Sequence, residues 1–345
     1  MKVIVATSIE PFVSGGASLL ADWLSRALRS RGHSVEEFHI PFVYRYPEVF
    51  EQMVGLRLLD LHDCADRLIA IRPPSYLLRH PKKVLWFIHH HRAAYDLWGT
   101  EYGDLTDSPE DRRYRNAIFQ ADQLAFGEAT KIFTNSQVVS DRVKLFNGFD
   151  TEILSPPLFD PQRYFCRQYG DSLLYVSRLV HHKRQWLAIE SLKYTKSPVG
   201  LIIAGTAADS SYIDELQQLA VKCGVDNRVT FFSEWISEER KIALFADCLA
   251  ALYFPYDEDS YGYASLEAHH AQKCVITTSD AGGTKELITD GENGFITSPE
   301  PAAIAEAMDK LYWNRDLARS MGRAAGTMPA VLGISWDRVV EKLLQ

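Results

Sequence analysis

Val3-Ile4-Val5-Ala6, then Ser14-Gly15-Gly16, then Leu19, Leu20, Trp23, Leu24, Ala27 and Leu28: the order of these three segments decides the fold. The first is a short apolar run of the kind that fills a buried strand. The second is a chain breaker. The third recurs at helical spacing. Arg29 and Arg31 stand in the last turn of that helix and Gly32 is placed as its cap. Val35 to Ile40 then resumes as a strand. One β-α-β unit results, and such units build parallel sheets covered by helices.

The alternation continues along the chain. Val84 to Ile88 and Lys131 to Thr134 are predicted strands, with a helix over 117–129. Pro156, Pro157 and Pro161 interrupt the series. A second α/β series follows, with strands at 173–176, 201–204, 229–232, 249–253 and 275–277. Its helices are expected at 186–192, 212–221, 238–245 and 265–271. Further helices fill much of 301–325 and 335–344. The expected fold is therefore α/β, with two Rossmann-like doubly wound domains facing a central cleft. The domains span 1–165 and 166–334, with the last helix, about 335–345, packing back onto the first. Ligands of such sheets bind beyond the C-terminal ends of the strands.

The 345 residues suit two domains better than one, because single cores stop growing near ~250–300 residues. Composition is that of an ordinary globular enzyme, 46% hydrophobic and 24% charged, with a mean hydropathy of -0.16. A net charge of -8 leaves no basic footprint for nucleic acid. Cys64, Cys166, Cys223, Cys248 and Cys274 form no CxxC pair, so neither a disulfide scaffold nor a zinc site is indicated. Glu10 interrupts the apolar start too early for a signal peptide. No run approaches the ~18 apolar residues of a membrane helix. The expected location is cytoplasmic, with any membrane contact peripheral, at the inner face.

Four clusters carry chemistry. Gly15 and Gly16, between a strand and a helix, let backbone approach a phosphate; a plain tight turn is the alternative. Arg178, at the end of the strand 173–176, and Lys183, five residues on, suit a diphosphate that must be neutralised as it leaves. The alternative is a solvated basic turn, His181-His182-Lys183-Arg184. Asp259 and Glu267 flank Tyr261-Gly262-Tyr263, a loop running into a helix, where two carboxylates can grip sugar and ribose hydroxyls. The alternative is an N-cap acid and a surface glutamate. His89-His90-His91 closes the strand 84–88, and one of the three is expected to face the cleft. A metal site is disfavoured, because adjacent residues of an extended segment point to opposite faces.

Taken together these residues resemble the retaining GT-B glycosyltransferases of family 4, also called group 1. Arg178 and Lys183 match the family's spaced Arg and Lys. Asp259 to Glu267 matches its Glu-x7-Glu motif. Gly282 to Gly294 follows its Gly-Gly-x-x-Glu-Leu-Ile-x-Asp-Gly-x-Asn-Gly segment. Gly15-Gly16 and Gly32-His33 match its N-terminal pattern, and 86–98 resembles a bacterial branch. Asp259 departs from the family's glutamate and shortens the reach by a methylene. Ser233 stands where glycine is common.

The resemblance implies a hexosyl transfer from a nucleotide-diphosphate sugar to a glycan or lipid-linked acceptor, in bacterial surface polysaccharide synthesis. Anomeric configuration would be retained and no metal cofactor used. Arg178 and Lys183 would hold the diphosphate, Glu267 the ribose, and Asp259 with the amides of Tyr261, Gly262 and Tyr263 the sugar. Trp235 would sit near the base. Gly15 and Gly16 would approach the phosphates, and His89 would touch the sugar. Arg92 and Tyr95 would lie on the acceptor side. The rivals are another GT-B enzyme, an epimerase or phosphorylase, and a degenerate partner subunit that binds the nucleotide sugar without turnover.

Overall fold

The computed structural model describes residues 1–9, 16–43, 46, 48–100, 103–207 and 211–345. They form two compact units, Met1–Phe159 with Ile334–Gln345, and Asp160–Gly333.

The strands of the first unit are β1 (Lys2–Ile9), β2 (Ser34–Pro41), β3 (Arg67–Ala70), β4 (Lys83–Phe87), β5 (Lys131–Thr134) and β6 (Glu152–Ile153). All pair in parallel, in the order β2-β1-β3-β4-β5-β6. Its helices are α1 (Gly16–Arg29), α2 (Glu48–Leu58), α3 (Pro109–Gly127) and α4 (Gln137–Asn147). The apolar run of β1 is buried on both faces, as a helix-covered parallel strand must be. Val3 and Val5 pack with Leu20, Leu24 and Leu28 of α1, while Ile4 and Ala6 face Val49, Met53 and Leu56 of α2. The helix expected over 117–129 begins earlier, at Pro109. Ser108 caps it by accepting from the Asp111 amide at 3.0 Å, and Pro109 fits the first turn, where its missing N–H costs nothing.

The second unit holds β7 (Ser172–Val176), β8 (Gly200–Ala204), β9 (Val229–Phe232), β10 (Ala251–Leu252), β11 (Val275–Thr278) and β12 (Gly294–Thr297). Its helices are α5 (Gln185–Leu192), α6 (Ser211–Cys223), α7 (Glu238–Asp247), α8 (Tyr263–His270), α9 (Pro301–Trp313) and α10 (Arg315–Val331). The sheet is again parallel, ordered β12-β11-β10-β7-β8-β9. The chain runs outward from β7 through β8 to β9, then returns to lay β10 on the other side of β7. That reversal puts a topological switch point beyond the ends of β7 and β10, where open α/β sheets bind ligands.

The division between units falls after Phe159, six residues before the expected 165. Tyr164 accounts for the difference, since it packs on Phe245 and hydrogen-bonds Glu238 and Glu267, all in the second unit. The last helix, α11 (Trp336–Leu344), belongs to the first unit. Val339, Val340 and Leu343 enter the core on the α1 side. Trp336 meets Trp86 edge-on and donates to the Leu158 carbonyl at 2.9 Å. Lys342 pairs with Glu152 at 2.7 Å.

Candidate active site

The second unit's switch point is assembled by buried polar bonds between the turn after β7 and the loop after β10. Tyr175, on β7, donates its hydroxyl to the Lys183 carbonyl and accepts from the Phe254 amide at 2.8 Å. Arg184, which the alternative reading of the sequence put in a solvated turn, is buried. Its guanidinium donates to the carbonyls of Phe254 and Pro255 at 2.7 and 2.9 Å, and grips both Asp280 oxygens at 2.7 Å. Such a two-pronged charged pair orients as well as binds. Arg184 therefore ties together the loops after β7, β10 and β11.

On this frame Arg178 and Lys183 differ sharply. Gln185 fixes the Arg178 backbone by donating to its carbonyl at 2.8 Å, while the Arg178 side chain is exposed. Among the described residues its guanidinium makes no hydrogen bond or ion pair. Lys183 has a side chain only 8% exposed. Its ammonium donates to the Tyr253 hydroxyl at 2.9 Å and pairs with Glu258. Burial, with Glu258 beside it, pushes the Tyr253 hydroxyl well above the usual phenol range, while the Arg178 charge opposes the shift. Arg178, Lys183, Glu258 and Asp259 thus surround one buried tyrosine.

That tyrosine explains a glycine. Gly262 caps α8 with φ +69°, and a Cβ there would lie 2.5 Å from the Tyr253 ring. No side chain caps the start of α8. Gly282, at φ +63°, lies so close to the Glu258 backbone that a Cβ would sit 2.3 Å from its carbonyl oxygen. Asp259, on the loop between them, and Tyr261 are buried, and Tyr263 is partly so.

Glu267 sits in the second turn of α8 and is 4% exposed. Its Oε1 accepts from Lys241 at 2.6 Å and from Tyr164 at 2.9 Å. Oε2 has no partner among the described residues. Burial works against the Lys241 charge, yet Glu267 and Glu238 raise its pKa overall. The carboxylate is held by one oxygen and presents the other. Trp235 is 76% exposed, on the loop between β9 and α7, and stands outside this bonded cluster.

The candidates in the first unit separate in the same way. Gly15 lies outside the described residues, and Gly16 is the first residue of α1. His89 follows β4, and its Nδ1 lies 2.6 Å from the His90 carbonyl oxygen. Nδ1 therefore carries the hydrogen and Nε2 is left as an acceptor. Burial, and after it the Arg72 charge, pushes its pKa down to about 3, so the ring is neutral at pH 7. His90 is a core residue, bonded to Asn147 at 2.9 Å and packed on Phe87, Tyr95 and Phe146. His91 meets the Tyr46 hydroxyl. Arg92 is engaged with Asp96 at 2.7 Å. Tyr95, expected on the acceptor side, is buried and donates its hydroxyl to Asp122 at 2.8 Å. Its place is in the core. Among the described residues no group of three or more His, Cys, Asp or Glu is placed to hold a metal ion.

Four participants were absent from the sequence reading. Glu258 could have been suspected, because it adjoins Asp259 in an acidic loop. Tyr164, Lys241 and Tyr253 gave no signal, since each reaches the site through the fold from a distant segment.

Two doubly wound parallel domains, the second with cations and carboxylates at its switch point, define the GT-B architecture. Residues 168–328 match the family model described as "Glycosyl transferases group 1". The second unit thus carries the match to the group 1 glycosyltransferases, and the two parallel six-stranded sheets have the fold of GT-B glycosyltransferases. It is similar to "Alpha-1,3/1,6-mannosyltransferase ALG2". The Mus musculus protein is 28% identical over 353 residues, 94% of this chain and 81% of that one. The Homo sapiens protein is 28% identical over 286 residues, 75% of this chain and 66% of that one. A "GDP-mannose-dependent alpha-(1-6)-phosphatidylinositol monomannoside mannosyltransferase" of Mycobacterium tuberculosis is 29% identical over 357 residues, 94% and 85% of the two chains. The solved structure of Anabaena Alr3699/HepE, in complex with UDP and glucose, superposes with a TM-score of 0.72 at 19% identity, covering 99% of each chain.

Proposed function

We propose that the protein transfers a hexose from a nucleoside-diphosphate sugar to a glycan or lipid-linked acceptor with retention of anomeric configuration and without a metal ion. The cationic pair beyond β7, with Glu267 presenting a free carboxylate oxygen from α8, carries this proposal. Arg178 and Lys183 neutralise the diphosphate as its bond to the sugar C1 breaks. The Glu267 oxygen accepts from the ribose hydroxyls. Asp259 and the α8 amides hold the sugar, and His89 Nε2 accepts from one of its hydroxyls. The acceptor oxygen attacks C1 from the face the phosphate leaves, and the departing phosphate oxygen takes the acceptor's proton. Gly15 and Gly16 approach the phosphates, Trp235 lies by the base, and Arg92 serves the acceptor side.

Two relatives carry names that specify mannosyl transfer, so GDP-mannose is the first donor to test, with UDP-glucose beside it. No helix among the described residues is long and apolar enough to cross a membrane. We place the reaction in the cytoplasm, at the inner face of a bacterial membrane, in surface polysaccharide synthesis. The test is release of nucleoside diphosphate, with each donor, over a panel of glycan and prenyl-linked acceptors in excess EDTA. Acceptor-dependent release, with an α product from an α donor by NMR, is expected. Release that needs added manganese or magnesium refutes metal independence. A β product refutes retention, and donor binding without turnover on any acceptor favours the partner-subunit alternative.

A further inference from the structure

The donor site contains an anion of its own. Lys183, assigned above to the diphosphate, has its ammonium paired with the carboxylate of Glu258. Both side chains are largely buried, 8% and 17% exposed, so the pair is only weakly screened by water. The backbone holds the two residues in register. The Tyr256 amide donates to the His182 carbonyl at 2.8 Å, which stitches the segment before Glu258 to the segment before Lys183. Gly283 donates to the Glu258 carbonyl at 2.8 Å, and the glycine contact at Gly282 leaves that loop no room to shift. Arg184 and Asp257, the immediate neighbours of the pair, are both non-glycine residues in the left-handed region, at φ +53° and +43°. Strain of that kind persists only where the surroundings over-determine it. The pairing is therefore built into the fold.

Its consequence follows from charge. Among the described residues around Tyr253 the site offers two cations, Arg178 and Lys183, against two carboxylates, Glu258 and Asp259. A nucleoside diphosphate entering it meets a nearly neutral site rather than a doubly positive one. To contact the Lys183 ammonium it must share it with Glu258 or displace Glu258 from it.

Resting on the donor-site assignment above, we infer that Glu258 is an internal competitor of the donor diphosphate, a carboxylate that occupies Lys183 while the site is empty and returns to it as the nucleoside diphosphate leaves. It weakens the product complex and so favours release, the step that limits many enzymes that close around their substrates. A carboxylate serves this role better than a neutral residue, because it satisfies the buried ammonium between turnovers, when an unpaired one would be costly.

Calorimetric titration of wild type, Glu258→Gln and Glu258→Asp with GDP and with UDP tests this, together with pre-steady-state release of the nucleotide. Glu258→Gln removes the competing charge and is expected to tighten the preferred nucleotide about tenfold and to slow its release by a similar factor. Glu258→Asp keeps the charge but shortens its reach to Lys183, and is expected to tighten it two- to threefold. The sign decides between roles, because a residue that merely supports the loop would weaken binding when replaced. Unchanged or weaker binding by folded Glu258→Gln overturns the inference. Should that variant fail to fold, unchanged or weaker binding by Glu258→Asp overturns it instead. If wild type binds neither nucleotide, the donor-site assignment itself falls, and with it the role of Glu258.

Discussion

Replacing Glu267 by alanine separates a ligand-binding carboxylate from a structural one. Its Oε1 holds Lys241 at 2.6 Å and Tyr164 at 2.9 Å, and its Oε2 is presented to the site. Loss of the presented oxygen removes charged hydrogen bonds to the ribose, each group of this kind contributing about 1.5–3 kcal/mol. The dissociation constant for GDP or UDP should rise roughly ten- to hundredfold. The stability cost should be smaller, because Glu238 remains as a partner for both neighbours, at 3.0 Å from Lys241 and 2.7 Å from Tyr164. We expect about 1–2 kcal/mol, and each kcal/mol lowers the melting temperature of a unit this size by about 2–4 °C. Glu267→Gln, which keeps an acceptor but not the charge, should fall between wild type and alanine in affinity. Calorimetry on the folded variants, with melting curves in parallel, reads both quantities. A Glu267→Ala protein that melts earlier but binds the nucleotide within twofold of wild type would refute the ribose assignment and leave Glu267 as the partner of Lys241 alone.

Asp259→Asn should leave nucleoside diphosphate affinity nearly intact and lower turnover of the sugar donor; equal weakening of both by initial rates and calorimetry would contradict its placement at the sugar. His89→Ala should reduce turnover far more than nucleotide affinity, and the pH–rate profile should show no ionisation of His89 between pH 5 and 8, because its pKa lies near 3. His90→Ala should instead cost about 2–4 kcal/mol of stability, as a packed core ring lost from among Phe87, Tyr95 and Phe146; an intact melting curve would contradict that. Burial, against opposing hydrogen bonds from Tyr76 and Tyr95, pushes Asp122 up to about 7 from 3.8. Between those values the folded chain keeps a proton that the unfolded chain has lost, so this contribution is full at the acid end and disappears as pH rises through 7. Asp122→Asn should flatten the fall in stability over that window, and an unchanged slope in urea melts would count against the shift.

The strands that carry the site were legible because each is a short apolar run, as at 173–176, before Ser177-Arg178, and at 201–204, before Gly205. The carboxylates and cations were legible because their spacing along one loop or turn is local. Other elements were hidden for definite reasons. Gly294–Thr297 forms β12, yet it opens on the second half of an Asn-Gly turn and is only four residues long. Glu48–Leu58 buries Val49, Met53 and Leu56, but Val54 and Leu58 are apolar and exposed, so the apolar residues of α2 do not fall on one stripe. The burial of Arg184 cannot be read from His181-His182-Lys183-Arg184. It depends on Asp280, 96 residues away, and on carbonyls freed by the irregular chain after β10. The split of the three histidines into a neutral acceptor and a core ring depends likewise on Asn147, 57 residues beyond His90.

The central claim is that the switch point between β7 and β10 holds a nucleoside diphosphate. A crystal structure of the protein with bound GDP or UDP tests it most directly. We predict the diphosphate between Arg178 and Lys183, the ribose on the open oxygen of Glu267, and the Glu258 carboxylate withdrawn from Lys183. Nucleotide density elsewhere on the molecule, with Arg178 still exposed and the Glu267 oxygen still open, would contradict the account.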